Sequence, residues 1–215
     1  MKRMLTDQER IQLDRRVAEL EKRTNAQVVI AVVQRSDTYA ELPWKAFALA
    51  AAIAGSGAVL LDLLRPGWHP GIAVLFAVVS TLAAGAACAL LCVAVPGFAR
   101  FFLDAHRAQM EVRQYAQSLF LSREVFAARG RRGVLLLVSM FERQVVLLPD
   151  SGLDKGLSRD AMQGVVARMA PVLATGQVCR ALESGLQGLE ENLAAAATGA
   201  SPENELPNLI EEKGT

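Results

Sequence analysis

The chain has 215 residues, 52% of them hydrophobic, with 23 Lys and Arg against 22 Asp and Glu for a formal net charge of +1. So even a balance excludes a nucleic-acid binder, which needs a basic excess to neutralise phosphates. The mean hydropathy of +0.26 comes mostly from one apolar block spanning residues 46 to 99. Outside that block there is length for one water-soluble domain and not for two.

Cys88, Cys92 and Cys179 do not form a disulfide framework, since two lie four residues apart in an apolar stretch and the third is remote. They are compatible with a reducing compartment, and Cys88 and Cys92 read as small polarisable side chains at a helix interface. The start, MKRMLTDQER, has no apolar core followed by a small-residue cleavage site. The chain is therefore expected to begin in the cytoplasm.

Thr6, Asp7, Gln8 and Glu9 fit a capping box, which predicts a helix start. Leu13, Val17 and Leu20 then repeat at helical spacing, with Ile11 flanking the same side. The run QVVIAVV from Gln27 to Val33 is short, β-branched and bounded by polar residues, as a strand buried on both faces should be. Ser36 and Asp37 follow its end, where ligand-contacting residues of open α/β sheets gather; they also suit a turn that caps the next helix.

Ala46 to Leu61 holds no charge, and with Trp44, Lys45, Leu63 and Leu64 it reaches membrane-spanning length over residues 45–64. Residues 71–95 are uncharged throughout and long enough to cross with some tilt. Both segments are rich in Ala and Gly, which lets two helices approach closely in lipid and leaves a homo-oligomer open as well. A transmembrane hairpin is expected, with the polar turn around Pro66 between its helices.

From Phe98 to Ala128 the pattern is helical, with a bend or break near Ser122. Between residues 100 and 132 seven Arg stand against Asp104, Glu111 and Glu124, so the positive-inside rule puts this end in the cytoplasm. His106, on a polar helix beside the membrane exit, reads as a surface or interface residue. Val134 to Val138 and Val145 to Leu148 flank Phe141, Glu142 and Arg143 as a β-hairpin, its first strand able to pair centrally with Gln27 to Val33 and its second toward an edge. The turn DSGLD at Asp150 to Asp154 leads to a helix from about Ser158, and a Thr175, Gly176 break precedes a last helix over Gln177 to Ala197. Residues 198–215 carry Gly, Pro, Asn and Glu and are expected to be a disordered acidic tail.

These segments resemble the TPM-domain family. The stretch from Arg129 to Asp154, with its basic residues, Gly, Val-Leu-Leu run, Glu-Arg pair and apolar second strand, is similar to the family pattern, as are the helix from Asp160 to Gly176 and the opening QVVIAVVQRSD. The resemblance implies an α/β domain whose sheet of three to four strands has flanking helices, assembled here from residues 1–44 and 98–197 around the two-helix insertion. Some members are weak acid phosphatases, and others serve assembly or maintenance of membrane complexes. The reading that follows is a membrane-anchored, cytoplasmic interaction module in the cell (inner) membrane, both termini inside, assisting or regulating a membrane protein complex.

The alternative is a membrane-tethered phosphatase or related hydrolase. Phosphoryl transfer needs charge neutralisation and a positioned nucleophile. The sequence offers Asp37, Arg131, Arg132, Arg143, Asp150 and Asp154 for this, but no P-loop and no nucleophile motif. Asp150 and Asp154 are also the candidates for a divalent cation such as calcium, which takes six to eight oxygens. Arg131 and Arg132 have a second reading as a basic strand entry beside anionic lipid. No organic cofactor is implied.

Overall fold

A computed structural model describes residues 5–65, 67, 69–153, 156–194 and 209–212. The chain divides into two compact units, one formed by Met1–Asp37 with Ala108–Thr215 and the other by Thr38–Arg107.

The first unit is the α/β domain. Its opening helix, α1 (Asp7–Thr24), starts at the expected capping box: the Glu9 N–H donates to Thr6 Oγ1 at 3.3 Å and the Thr6 N–H donates to Glu9 Oε2 at 2.8 Å. The backbone bond from Thr6, helped by its hydroxyl, holds the Glu9 carboxyl below its ordinary value. Leu13, Val17 and Leu20 are buried, whereas Ile11 is exposed and not on the core side. At two residues before Leu13, Ile11 lies about 200° away around the helix, which places it on the opposite face.

Among the described residues four strands form one mixed sheet in the order β3-β2-β1-β4: β1 (Gln27–Val33), β2 (Gly133–Ser139), β3 (Gln144–Pro149) and β4 (Leu209–Glu212). β1 pairs parallel with β2 from Gln27↔Gly133 to Val33↔Ser139, and β2 pairs antiparallel with β3. All seven residues of β1 and all seven of β2 are buried, which is why both read as unbroken apolar runs rather than alternating ones.

Each face of the sheet has its own core. Val28, Ile30, Val32, Val134, Leu136 and Val138 pack with Leu13, Val17 and Leu20 of α1, with Val165 and Met169 of α6 (Arg159–Ala174), and with Leu182, Leu186 and Leu189 of α7 (Val178–Ala194). Val29, Ala31, Val33, Leu135 and Leu137 pack with Val112, Ala116 and Leu119 of α5 (Ala105–Ser122). Gly133 opens β2 because a Cβ there would run into the Val125 carbonyl oxygen and stand 2.9 Å from Val125 Cγ1. At the rim of α1 and α7, Arg16 and Arg23 each reach one carboxylate oxygen of Glu190 at 2.7 Å.

The expected disordered tail is corrected at its far end: Leu209–Glu212 forms β4, parallel to β1, with Ile210 buried in the second core. Two apolar residues suffice because the free edge of β1 supplies backbone partners the tail composition does not advertise. The rest of the tail lies outside the described residues.

The second unit centres on two helices, α2 (Glu41–Leu64) and α3 (Pro70–Ala94), both long and apolar enough to cross a membrane, with mean hydropathies of 2.0 and 2.3 over their most apolar windows. The helices pack on each other through small residues. Gly55 lies beside Thr81, and Gly85 faces Phe47 so closely that a Cβ on it would stand 2.7 Å from the Phe47 ring. Apart from Leu42 near the start of α2, the buried residues of the two helices are the small Ala46, Ala58, Gly85 and Cys92, while Leu49, Ile53, Leu60, Val74, Val78 and Leu90 are exposed. Small residues inside and large apolar ones outside invert the arrangement of a water-soluble helix pair.

After α3 the helical stretch expected from Phe98 onward is broken into a short α4 (Pro96–Ala99), a 3-10 turn (Arg100–Phe102) and then α5. Pro96 stops α3 by lacking a backbone N–H. Asp104 accepts from the Arg107 N–H at 2.8 Å and so caps the start of α5. α5 ends at Ser122, the expected breakpoint.

Candidate functional site

In an open sheet the ends of the strands are where loops converge, so each end of β1 and β2 is a candidate site. At the carboxyl end the chain leaves β1 through Gln34, Arg35, Ser36 and Asp37, and leaves β2 through the tight turn to β3. The two exits are stitched together, Met140 N–H donating to the Val33 carbonyl and Phe141 N–H to the Gln34 carbonyl, each at 3.0 Å. The Arg35 guanidinium lies over the Phe141 ring, 4.2 Å from its centroid.

Glu142 is the centre of this end. It is buried, and its Oε1 accepts both the Ser36 N–H at 2.9 Å and the Ser36 hydroxyl at 2.5 Å, while its Oε2 accepts the Ser139 hydroxyl. A carboxylate with both oxygens engaged can stay buried where an unpaired one could not. Sequence reading assigned Glu142 only to closing the hairpin and missed this role. The nearest signal was a serine at or just past the end of each strand, Ser139 closing β2 and Ser36 three residues beyond β1. Arg143 sits in the turn with a left-handed φ of 54° and is exposed. Neither Ser36 nor Asp37 caps the next helix, whose N-cap is Ala40 with no side-chain bond.

The amino end of β1 and β2 holds the other predicted residues. Arg132 donates from Nε to the Asn25 carbonyl at 2.8 Å and from Nη2 to the Thr24 carbonyl at 3.0 Å. It thereby satisfies the last carbonyls of α1 and sets a cation at that helix's negative end. Asp150 is buried; its Oδ1 accepts the Ser151 N–H at 2.7 Å, and its Oδ2 is 3.1 Å from Arg131 Nε, an ion pair not aligned as a hydrogen bond. Asp154 lies outside the described residues. Among the described residues no group of three or more His, Cys, Asp or Glu is gathered as a metal would require.

Seven-residue strands separate the two ends by about 20 Å. The structure thus brings Asp37 and Arg143 to the carboxyl end, together with Ser36, Ser139 and Glu142, and brings Arg132 and Asp150 to the amino end with Arg131. Asp37 and Asp150 do not converge.

Beside the start of α1 a surface cavity of about 550 Å³ is lined by Leu5, Glu9 and residues 176–180, Cys179 among them. Burial, then the charges of Glu183 and Glu9, push the Cys179 thiol above its ordinary value. That suppresses the thiolate a reactive cysteine needs.

Residues 91–192, slightly less than half of the chain, match the TPM domain family. The NMR structure of the BA42 protein from the psychrophilic bacterium Bizionia argentinensis is similar in fold, with a TM-score of 0.58 and 14% sequence identity over 99% of this chain and 97% of that one. No curated protein sequence matches this one.

Proposed function

Since the chain carries a TPM domain over residues 91–192, we propose that it is a membrane-anchored interaction module, held at the cytoplasmic face of the cell membrane by its two apolar helices and assisting the assembly, maintenance or regulation of a membrane protein complex. The observation that carries this reading is the fate of the chemically capable groups. Arg132 is committed to capping α1, the two serine hydroxyls are committed to Glu142, and Asp150 is buried about 20 Å from the end that holds Asp37. A hydrolase needs nucleophile, base and charge stabiliser within contact of one reacting atom. Such a division supports a domain that presents surface rather than one that turns over substrate.

The membrane reading rests on the inverted hairpin: small residues in the seam and large apolar side chains outward along two helices of 24 and 25 residues. At 1.5 Å per residue each is at least about 36 Å long, sufficient for a hydrocarbon core of about 30 Å. Because β1 precedes the helices and its parallel partner β2 follows them, both ends of the insertion must return to the same side. An even number of spans meets that requirement.

Two measurements test the proposal. Crosslinking in native membranes is expected to capture a reproducible membrane-protein neighbour, and none in repeated trials would contradict the module. Purified full-length protein in detergent is expected to show no phosphomonoester turnover with or without divalent metal. Turnover that disappears in the Asp37→Asn, Asp150→Asn double variant would overturn the module in favour of a hydrolase.

A further inference from the structure

The foot of the hairpin contains an aromatic that neither core explains. Phe101 is 85% exposed, the highest value among the large hydrophobic residues described. It lies in the 3-10 turn just past α3, where Pro96 has ended the helix. Phe98 packs edge-on against it at 6.4 Å between centroids and against Phe102 at 5.5 Å, so three rings form one cluster. Because α2 and α3 pack antiparallel, with Gly85 on Phe47 and Gly55 beside Thr81, the start of α2 lies at this same foot. It brings Trp44, 72% exposed and edge-on to Phe47 at 6.2 Å, and the exposed Lys45.

The acids at this foot are engaged. Glu41 pairs with Arg107 at 2.8 Å, and Asp104 caps α5. The exposed side chains beside them are aromatic and basic: Trp44, Lys45 and Phe101. Rings at headgroup depth with cations beside them are how a protein meets the boundary between lipid headgroups and acyl chains, where an apolar ring leaves water and a Lys or Arg reaches phosphate. A soluble protein partner would require no such level alignment with the ends of two apolar helices.

We infer that Pro96 to Phe102, together with Trp44 and Lys45, is an interfacial anchor that seats Phe101 at the headgroup–acyl boundary of the bilayer. This rests on the two-span reading of α2 and α3 and adds a depth and an orientation to it. The anchor fixes how far the hairpin can slide along the bilayer normal, and it does so at the point where the chain leaves the lipid for α5.

Depth-dependent fluorescence quenching tests this in full-length protein reconstituted into phosphatidylcholine vesicles. A Phe101→Trp probe is placed in a Trp44→Phe, Trp68→Phe background, and a Val79→Trp probe at mid-α3 in the same background. The Phe101 probe is expected to emit at shorter wavelength than tryptophan in water and to be quenched more by lipids brominated near the headgroup than by lipids brominated near the chain ends. The Val79 probe is expected to show the reverse order. Trp44, left as the native reporter by Trp68→Phe alone, is expected to follow the shallow pattern without any substitution at the foot. Water-like emission from the Phe101 probe with free acrylamide access, while the Val79 probe keeps deep quenching, would overturn the anchor and leave the spans standing. Deep quenching of the Phe101 probe would also overturn it, by placing that residue within a span. Escape of both probes from bromine would remove the two-span reading and the anchor together.

Discussion

Glu142 holds together two loops that are 106 residues apart in sequence, and its removal would leave the Ser36 N–H and two serine hydroxyls buried without their acceptor. Glu142→Ala is therefore expected to destabilise the α/β unit by about 3 kcal/mol, within the range for losing hydrogen bonds to a charged group in a buried site. Glu142→Gln, which keeps one acceptor oxygen, should lose less. Urea unfolding of the full-length protein in micelles measures both. Glu21 behaves differently. It is buried near the end of α1 and accepts the Val28 N–H at 3.0 Å; burial raises its carboxyl above the ordinary value, with that bond offsetting only part of the effect. A raised native value means the folded state holds the proton more tightly, so stability falls as pH climbs from the unfolded value through the native one and is flat above both. Glu21→Gln is expected to be more stable than the wild type at pH 8 and to lose that advantage at about pH 4, near the ordinary glutamate value. The contrast shows what residues reveal by themselves: Thr6 and Glu9 declare a helix start because both partners lie within one turn, whereas the roles of Glu142, Arg132 and Glu21 depend on backbone groups of other elements.

At the scale of elements, uniform environments were the legible ones. Gln27–Val33 was readable to the residue because a strand buried on both faces needs an unbroken apolar run. The hairpin strands and the two long helices were readable for the same kind of reason. β4 was not, since four residues in an acidic tail carry no periodicity, and its order comes from the edge of β1. Ile210→Asp should undo it: the backbone amides of β1 that face β4 are expected to exchange hydrogen about tenfold faster or more, with those facing β2 little changed. Unaltered exchange would mean that the strand is held by something other than Ile210. The seam of α2 and α3 makes a sharper prediction. Gly85→Leu must displace the Phe47 ring and is expected to weaken the hairpin by about 1–3 kcal/mol. Adding Phe47→Ala should recover part of that loss, the coupling expected of residues in contact. Unfolding in mixed micelles, followed by cysteine crosslinking across the seam, reads out both effects.

The whole molecule combines one α/β sheet with an insertion that separates its two central strands in sequence by 99 residues, from Val33 to Gly133. On the proposed membrane reading, the full-register pairing of β1 and β2 is the strongest constraint on topology, because a single crossing would put them on opposite sides of the membrane. The charge pattern is consistent with that reading, with an Arg-rich stretch after α3 and Asp62 balancing Arg65 at the end of α2. The most direct test is the accessibility of the turn. In a background with Cys88, Cys92 and Cys179 replaced by Ser, a Gly67→Cys variant is expected to react with a membrane-impermeant maleimide in intact cells, and an Asp160→Cys variant on the α/β unit only after permeabilisation. Labelling of Gly67→Cys only after permeabilisation, or of both sites from outside, would contradict a cytoplasmic domain anchored by a two-span hairpin.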